Sequence, residues 1–265
     1  MSKIHSTAIV DEKAQIADTV EIGPFCTVGP NVKIGAGTKL ISHCNVSGHT
    51  TIGENNTMFP FVSLGTEPQD HGFVGTESYL KIGNYNFFRE GFTANIGTKE
   101  GSETVIGDHC YFMINTHVAH NCQVGNKVTV VNGSGFAGYC EIGDSCVISG
   151  LCGTHQFVKI GRFAMMSGGS VTSVNIPPFV IADGRNGSIK NLNIIGLKRN
   201  GFSDVSIRAL RDLFKIFFVS GLNVSNAIEK IEKEVEQVPE VIEFLDFVKT
   251  SKRAIATGRS TGRRS

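Results

Sequence analysis

The sequence predicts an all-β solenoid, a parallel β-helix of hexapeptide repeats with a C-terminal α-helical extension. Every sixth residue from Ile4 to Met166 is apolar, and among 28 positions only Asp70, Thr76, Glu100 and Thr154 break the phase. At 40% hydrophobic content, chance would place roughly eleven apolar residues there. A six-residue period fits neither the helical 3.6 nor the alternation of an ordinary strand. After Pro177-Pro178 the period stops, and helical spacing replaces it from Ser203.

Three hexads make an 18-residue coil of three short strands, so side chains 18 apart stack in columns. From 4 to 166 there are nine such intervals, a prism of roughly 45 Å at one strand spacing per coil. Ten phase residues are followed by glycine, from Gly23 to Gly161, which suggests the positive φ of tight corners. The phase breaks at Asp70 and Thr76 lie in TEPQDHGFVGTESY, and Glu100 lies in GTKEGSET. Both stretches read as loops thrown out of the coil while the count is kept, and loops on a rigid scaffold are where function tends to sit. Loops that blunt a sheet edge or fill an interface fit the same pattern.

The resulting organisation is a β-helix domain over 1–185, a linker over 186–202, a helical domain over 203–252 and a disordered basic tail over 253–265. Ser203 caps a helix bearing Val205, Ile207, Leu210, Leu213, Phe214, Phe217 and Phe218. Ser225 is expected to cap a second, and Pro239 opens a third. Helices of this size need a partner surface, on the prism and on neighbouring subunits.

All seven cysteines fall two residues before a phase position, a slot filled elsewhere by Ala, Val, Thr or Ser. A small inward hydrophobe explains all seven; a metal site or a redox pair at Cys26/Cys44 or Cys122/Cys140 is the rival. Net charge is +1, which gives no general affinity for nucleic acid. No apolar run reaches a membrane span and the start lacks an apolar signal core, so the expected compartment is the cytoplasm. A phosphate-loop glycine motif and a GxSxG elbow are absent from the sequence.

The chemistry concentrates in NTHVAHNC. The column through His117 continues to Gly135 and Gly153, and the column through His120 to Gly138 and Gln156. Glycine beside a histidine clears a path for a ligand along the wall. His155 stands in the adjacent column after Ala119 and Ala137, so His120, His155 and Gln156 line one groove. A neutral imidazole there suits a general base acting on a hydroxyl or amine, with a glycine N–H for the developing oxyanion. A hydrogen-bonded wall histidine and a three-histidine zinc site are the other readings of the same residues.

In order along the chain, QD at Gln69-Asp70, INTHVAHNC, AGYCEIGD, SGLCGTHQF, IPPFVIADG and LNIIGLKRNGF closely resemble the UDP-N-acetylglucosamine 3-O-acyltransferases of lipid A biosynthesis. The resemblance covers residues 3 to about 255. It implies a left-handed β-helix, a homotrimer with clefts between subunits, and a 3-hydroxyacyl donor on acyl carrier protein. The acceptor is UDP-N-acetylglucosamine or its 3-amino analogue. No cofactor is implied beyond the carrier's phosphopantetheine arm, and no metal. By motif match His120 is the base and the Gly138 N–H serves the oxyanion. His117, Asp70, His155 and Gln156 contact the sugar, Asn193 and Arg199 the nucleotide end, and Gly168 limits the acyl groove. Lys198, Arg199, Arg208, Arg211 and Lys215 are candidates to meet the acidic carrier. The chain departs from the pattern at Asn121, where many members have Asp. It departs also at Tyr139 and Asn95, where His is frequent, at Gly72 for Lys and at Ile195 for Glu. The alternatives are an acetyl-CoA-dependent N-acetyltransferase on a nucleotide amino sugar and a catalytically silent β-helix binding module.

Overall fold

The computed structural model describes residues 2–185 and 187–258. Two-residue strands recur at each hexad and assemble into three sheets of 11, 9 and 8 strands along the faces of a left-handed prism. The phase residues point inward: Ile22, Leu40, Met58, Phe88, Phe112, Val130, Ile148 and Met166 form one buried column of the first sheet. Each coil alone exposes its apolar faces at both ends, so stacking is what buries them. All seven cysteines are free and buried among these residues. Burial pushes the Cys110 thiol up to about 11 and the Cys146 thiol up to about 12, so both behave as small hydrophobes.

Coil-to-coil register is 18 residues at Ile4↔Ile22 and Leu40↔Met58, but 30 at Met58↔Phe88 and 24 at Phe88↔Phe112. The two excursions therefore insert 12 and 6 residues beyond the 18, both multiples of six, which is why the phase survives them. They also consume one coil's worth of chain. Ile4 to Met166 spans eight steps, not the nine expected, or ~38 Å at one strand spacing each. The excursions tie to each other, Gly101 N donating to Glu77 O at 2.8 Å and Thr76 Oγ1 to Thr98 O at 3.3 Å.

The corners differ from the expectation. Positive φ falls on non-glycine residues two places further on, such as Phe25, Asn121, Tyr139 and Phe157. Apart from Gly65, φ +74°, the glycine after the phase residue does not take positive φ; a Cβ at Gly35, for example, would lie 2.7 Å from the Gly53 carbonyl carbon of the next coil. Close backbone approach, not handedness, selects glycine there.

Residues 186–202 are not an extended linker. Ser188–Leu192 forms a strand antiparallel to Val180–Asp183 at the edge of the first sheet, and Ile194–Arg199 forms helix α1. The hexad period stops there because the antiparallel return no longer repeats the coil. Helix α2, Asp204–Phe214, is capped by Ser203 as expected and continues into a π-helical turn, Lys215–Val219. Helix α3, Val224–Glu234, starts two residues before the expected position, because the Asn223 side chain accepts from Asn226 N–H. Helix α4, Pro239–Thr250, has proline in its first turn. Leu213, Phe217, Ile231, Val241 and Phe244 make a second core, while Ile207 and Leu210 join the prism core. Described residues of the tail are ordered against the prism: Ala256 N donates to Asn175 O, and Arg253 Nη1 donates to Ser173 O. Residues 259–265 of the expected disordered tail lie outside the described residues. Among the described residues no helix is long and apolar enough to cross a membrane.

Candidate functional site

His117 lies on the outer face of the second sheet, in the strand His117–Val118 between Thr93 and Gly135. Three residues on, where the chain turns the corner between the second and third sheets, His120 is 3% exposed. Its ring occupies the space above Gly138, where a Cβ would sit 2.6 Å from His120 Nε2. The columns read from sequence are thus real, and glycine at 138 is what lets the imidazole lie flat on the next coil. The wall of a groove of about 250 Å³ is built from Gln69, His117, Ala119, His120, Gly135, Phe136, Ala137, Gly138 and Gln156.

The two imidazoles differ in their surroundings. His117 Nδ1 lies 2.7 Å from Thr93 Oγ1, and burial, with a smaller contribution from His120, lowers its pKa from the ordinary 6.5. His117 is therefore a neutral hydrogen-bonding group at pH 7. His120 Nδ1 lies 3.1 Å from Asn121 Oδ1, and the Tyr139 ring meets the imidazole edge-on at 5.3 Å. Asn121, φ +61°, is an amide at a corner that asparagine adopts more readily than most residues. No hydrogen bond from the Gly138 N–H forms among the described residues, which leaves a backbone donor beside the ring. An imidazole, a neutral polar neighbour and an N–H without a partner among the described residues, all within one groove, are parts that acyl transfer can use.

Of the residues singled out in the sequence, the groove brings together His117, His120, Gly138 and Gln156. Asp70 is exposed on the long excursion and accepts from Gly72 N–H at 2.9 Å, while its neighbour Gln69 reaches the groove wall. His155, expected to line the groove with His120 and Gln156, is instead exposed outside its wall two coils on, its Nδ1 3.2 Å from Gln156 O. Asn193 is buried and already engaged: its Oδ1 accepts from Gly196 N–H to cap α1 and its Nδ2 donates to Phe163 O. Arg199 is exposed in the last turn of α1, and Gly168 is exposed at the corner between the first and second sheets. None of these three lines the groove within one protomer.

Two contacts escaped the sequence reading. Thr93 lies 24 residues before His117, off the 18-residue column, because the short excursion intervenes. Asn95, 3% exposed, donates to Thr66 and Glu67 and so anchors the root of the excursion that carries Gln69. A larger hollow of about 660 Å³ lies on the third sheet beneath α4, beside the Arg162–Glu243 ion pair at 2.5 Å. Its lining contains no histidine or cysteine, and His117 and His120 lie on the other side of the corner.

Comparison with known proteins matches residues 175–256 to the family described as UDP N-acetylglucosamine O-acyltransferase, domain 2, and residues 103–138 to bacterial transferase hexapeptide (six repeats). A curated acyl-[acyl-carrier-protein]–UDP-N-acetylglucosamine O-acyltransferase from Thiobacillus denitrificans is 43% identical over 83% of this chain and 86% of its own length. The solved LpxA from Acinetobacter baumannii is 43% identical with a TM-score of 0.92, covering 96% of this chain and 99% of that one. The UDP-N-acetylglucosamine acyltransferase of Francisella novicida superposes with a TM-score of 0.93 at 33% identity, covering 97% and 95%.

Proposed function

The chain belongs to the UDP-N-acetylglucosamine O-acyltransferase family, and from that premise we propose that it moves a 3-hydroxyacyl chain from acyl carrier protein to the 3-position of UDP-N-acetylglucosamine, a step of lipid A biosynthesis. One observation carries the reading: the His120 ring lies in the clearance of Gly138, its Nδ1 on Asn121, inside a groove open to a ligand. In this reading the 3-oxygen attacks the thioester carbonyl while His120 Nε2 takes its proton. The Gly138 N–H meets the oxygen that gains charge. As the tetrahedral intermediate collapses, the C–S bond breaks and the pantetheine sulfur leaves with the proton His120 held. His117, neutral and fixed by Thr93, and Gln156 orient the sugar, with Gln69 in the place first given to Asp70.

The 3-amino sugar is the second acceptor, and Asn121 favours considering it. An amide stabilises an imidazolium less than a carboxylate does, and an amine attacks a thioester with less help from a base. Crossing 3-hydroxyacyl carrier proteins and acetyl-CoA with UDP-N-acetylglucosamine and its 3-amino form tests the reading. Product is expected with carrier-protein donors and not with acetyl-CoA. Turnover with acetyl-CoA alone, or no product with any carrier-protein donor, overturns the proposal.

The proposed assembly is a homotrimer. Its support is the corner between the first and second sheets, where Phe25 is 58%, Phe61 64% and Leu151 73% exposed, and His43 sits between the two phenylalanine rings. Such a column is costly in water and suited to burial against copies of itself. Leu151→Asp is expected to shift the protein to monomers by light scattering and to lower activity at least about tenfold, each buried apolar contact being worth ~2 kcal/mol. A trimer unchanged by that charge places the interface elsewhere. The carrier protein is proposed to dock on the exposed Lys198, Arg199, Arg208, Arg211 and Lys215. Among these only Lys215 has an ion pair among the described residues, with Asp212 at 3.3 Å.

A further inference from the structure

The six-residue excursion at 97–102 does more than interrupt the coil. Its Thr98 reaches the corner below His120: Thr98 N lies 3.1 Å and Thr98 Oγ1 2.9 Å from Asn121 Oδ1, and Thr98 Oγ1 lies 2.7 Å from Tyr139 Oη. The directions of these bonds follow from donor counting. A backbone N–H only donates, so the Asn121 amide must present its oxygen to Thr98. That same oxygen faces His120 Nδ1, which must then carry the proton, leaving Nε2 as the unprotonated nitrogen. Thr98 has one hydroxyl hydrogen. If it goes to Asn121, then Tyr139 donates to Thr98.

We propose that Thr98 is a positioning residue for the acyl transfer, holding His120 in its Nε2-basic tautomer through Asn121, with Tyr139 as the outer donor of a one-way hydrogen-bond relay. The inference rests on the reading of His120 as the base. The relay runs from Tyr139 O–H to Thr98 Oγ1, from Thr98 O–H to Asn121 Oδ1, and meets His120 Nδ1–H at that oxygen. Each bond polarises the next, so a neutral amide is made a stronger acceptor for the imidazolium that forms during turnover. Geometry elsewhere supports the arrangement. Asn121 N–H is held by Thr104 Oγ1 at 2.7 Å, and the Tyr139 ring stacks on Phe157 at 4.8 Å. Ser102 closes the excursion by accepting from Lys99 N–H and donating to Lys99 O. Thr98 is thus delivered by a built turn. It stands at the position from which a second-layer group acts on the base without touching substrate.

The test combines nitrogen NMR with kinetics on the full-length protein. In ¹⁵N-histidine-labelled protein, with His120→Ala to assign the resonances, His120 is expected to show protonated Nδ1 and unprotonated Nε2. Asn121→Leu, which keeps the side-chain size and removes the acceptor, is expected to mix the two forms. Thr98→Val retains the backbone N–H and loses the relay, so kcat is expected to fall about fivefold with KM unchanged. Thr98→Ser restores kcat to within about twofold. Thr98→Val/Tyr139→Phe is expected to match Thr98→Val alone, because the two bonds act in series. A protonated Nε2 in the parent protein, a loss confined to KM, or additive losses in the double variant overturns the proposal. The nitrogen spectra need no turnover, so failure of the activity reading is seen separately from failure of the relay.

Discussion

His120→Ala is expected to lower kcat by about three orders of magnitude, the usual worth of a positioned general base, while the fold is kept. The size follows from what stands beside the ring. The other imidazole in the groove, His117, has Nδ1 committed to Thr93 and a pKa lowered by burial, so it is a poor substitute for the missing base. Hydroxide at neutral pH is too scarce to replace it, and in the proposed mechanism the Gly138 N–H would supply charge stabilisation but no proton transfer. Structure tolerates the change because His120 sits on the outer wall, and the inward residues of that corner, Val118 and Cys122, are untouched. Removing the ring costs about 1 kcal/mol of folding stability, chiefly the hydrogen bond to Asn121. Single-turnover rates with an acyl carrier protein donor, alongside thermal melts and light scattering, check both halves. Near-normal turnover in a well-folded variant would remove His120 from the role of base.

How far the sequence reaches is visible in these same residues. The hexad phase placed His117 beside Gly135 and His120 beside Gly138 because between 103 and 166 the coil is uninterrupted, and an 18-residue step there is a physical contact. Across the excursions the step becomes 30 or 24, and neither Thr93 under His117 nor Asn95 at the loop root falls on an 18-residue column. Thr98 lies in the stretch that the break at Glu100 had marked as a loop, but only the fold of that turn shows which corner it reaches. Corner conformation was misjudged for a related reason. Glycine signals freedom of φ and closeness of backbone alike, and in this prism the glycine after the phase residue serves the second while aromatic and amide residues take the strained φ. The strand Ser188–Leu192 was illegible because a chain that turns back antiparallel on the last coil carries no hexad. Asn193, Arg199 and Gly168, which the groove lacks along with Asp70 and His155, were read from motifs alone, and a motif records residue order without distance in space.

Gly138→Ala is expected to leave a stable protein with at least about a hundredfold less activity, because the added methyl takes the space in which His120 lies. The nearest atoms to such a Cβ are all in the imidazole, with Nε2 at 2.6 Å and Nδ1 at 2.9 Å. Gly138 is not among the residues of positive φ, so alanine brings no backbone strain. The ring, and not the coil, has to give way. Once it swings out, Nδ1 loses Asn121 and Nε2 leaves the clearance of Gly138, so the proposed base and oxyanion donor are separated in one step. The same substitution at Gly35 is the contrasting case. There the Cβ would meet the Gly53 carbonyl carbon and oxygen at 2.7 Å, backbone that is locked into the next coil, so several kcal/mol of stability are expected to go. Thermal melts and kcat measured on both variants separate the two uses of glycine in this prism. A Gly138→Ala protein that remains active would mean that the imidazole does not work from the clearance above Gly138, and a Gly138→Ala protein that unfolds would mean that the ring is pinned more firmly than the coil beneath it.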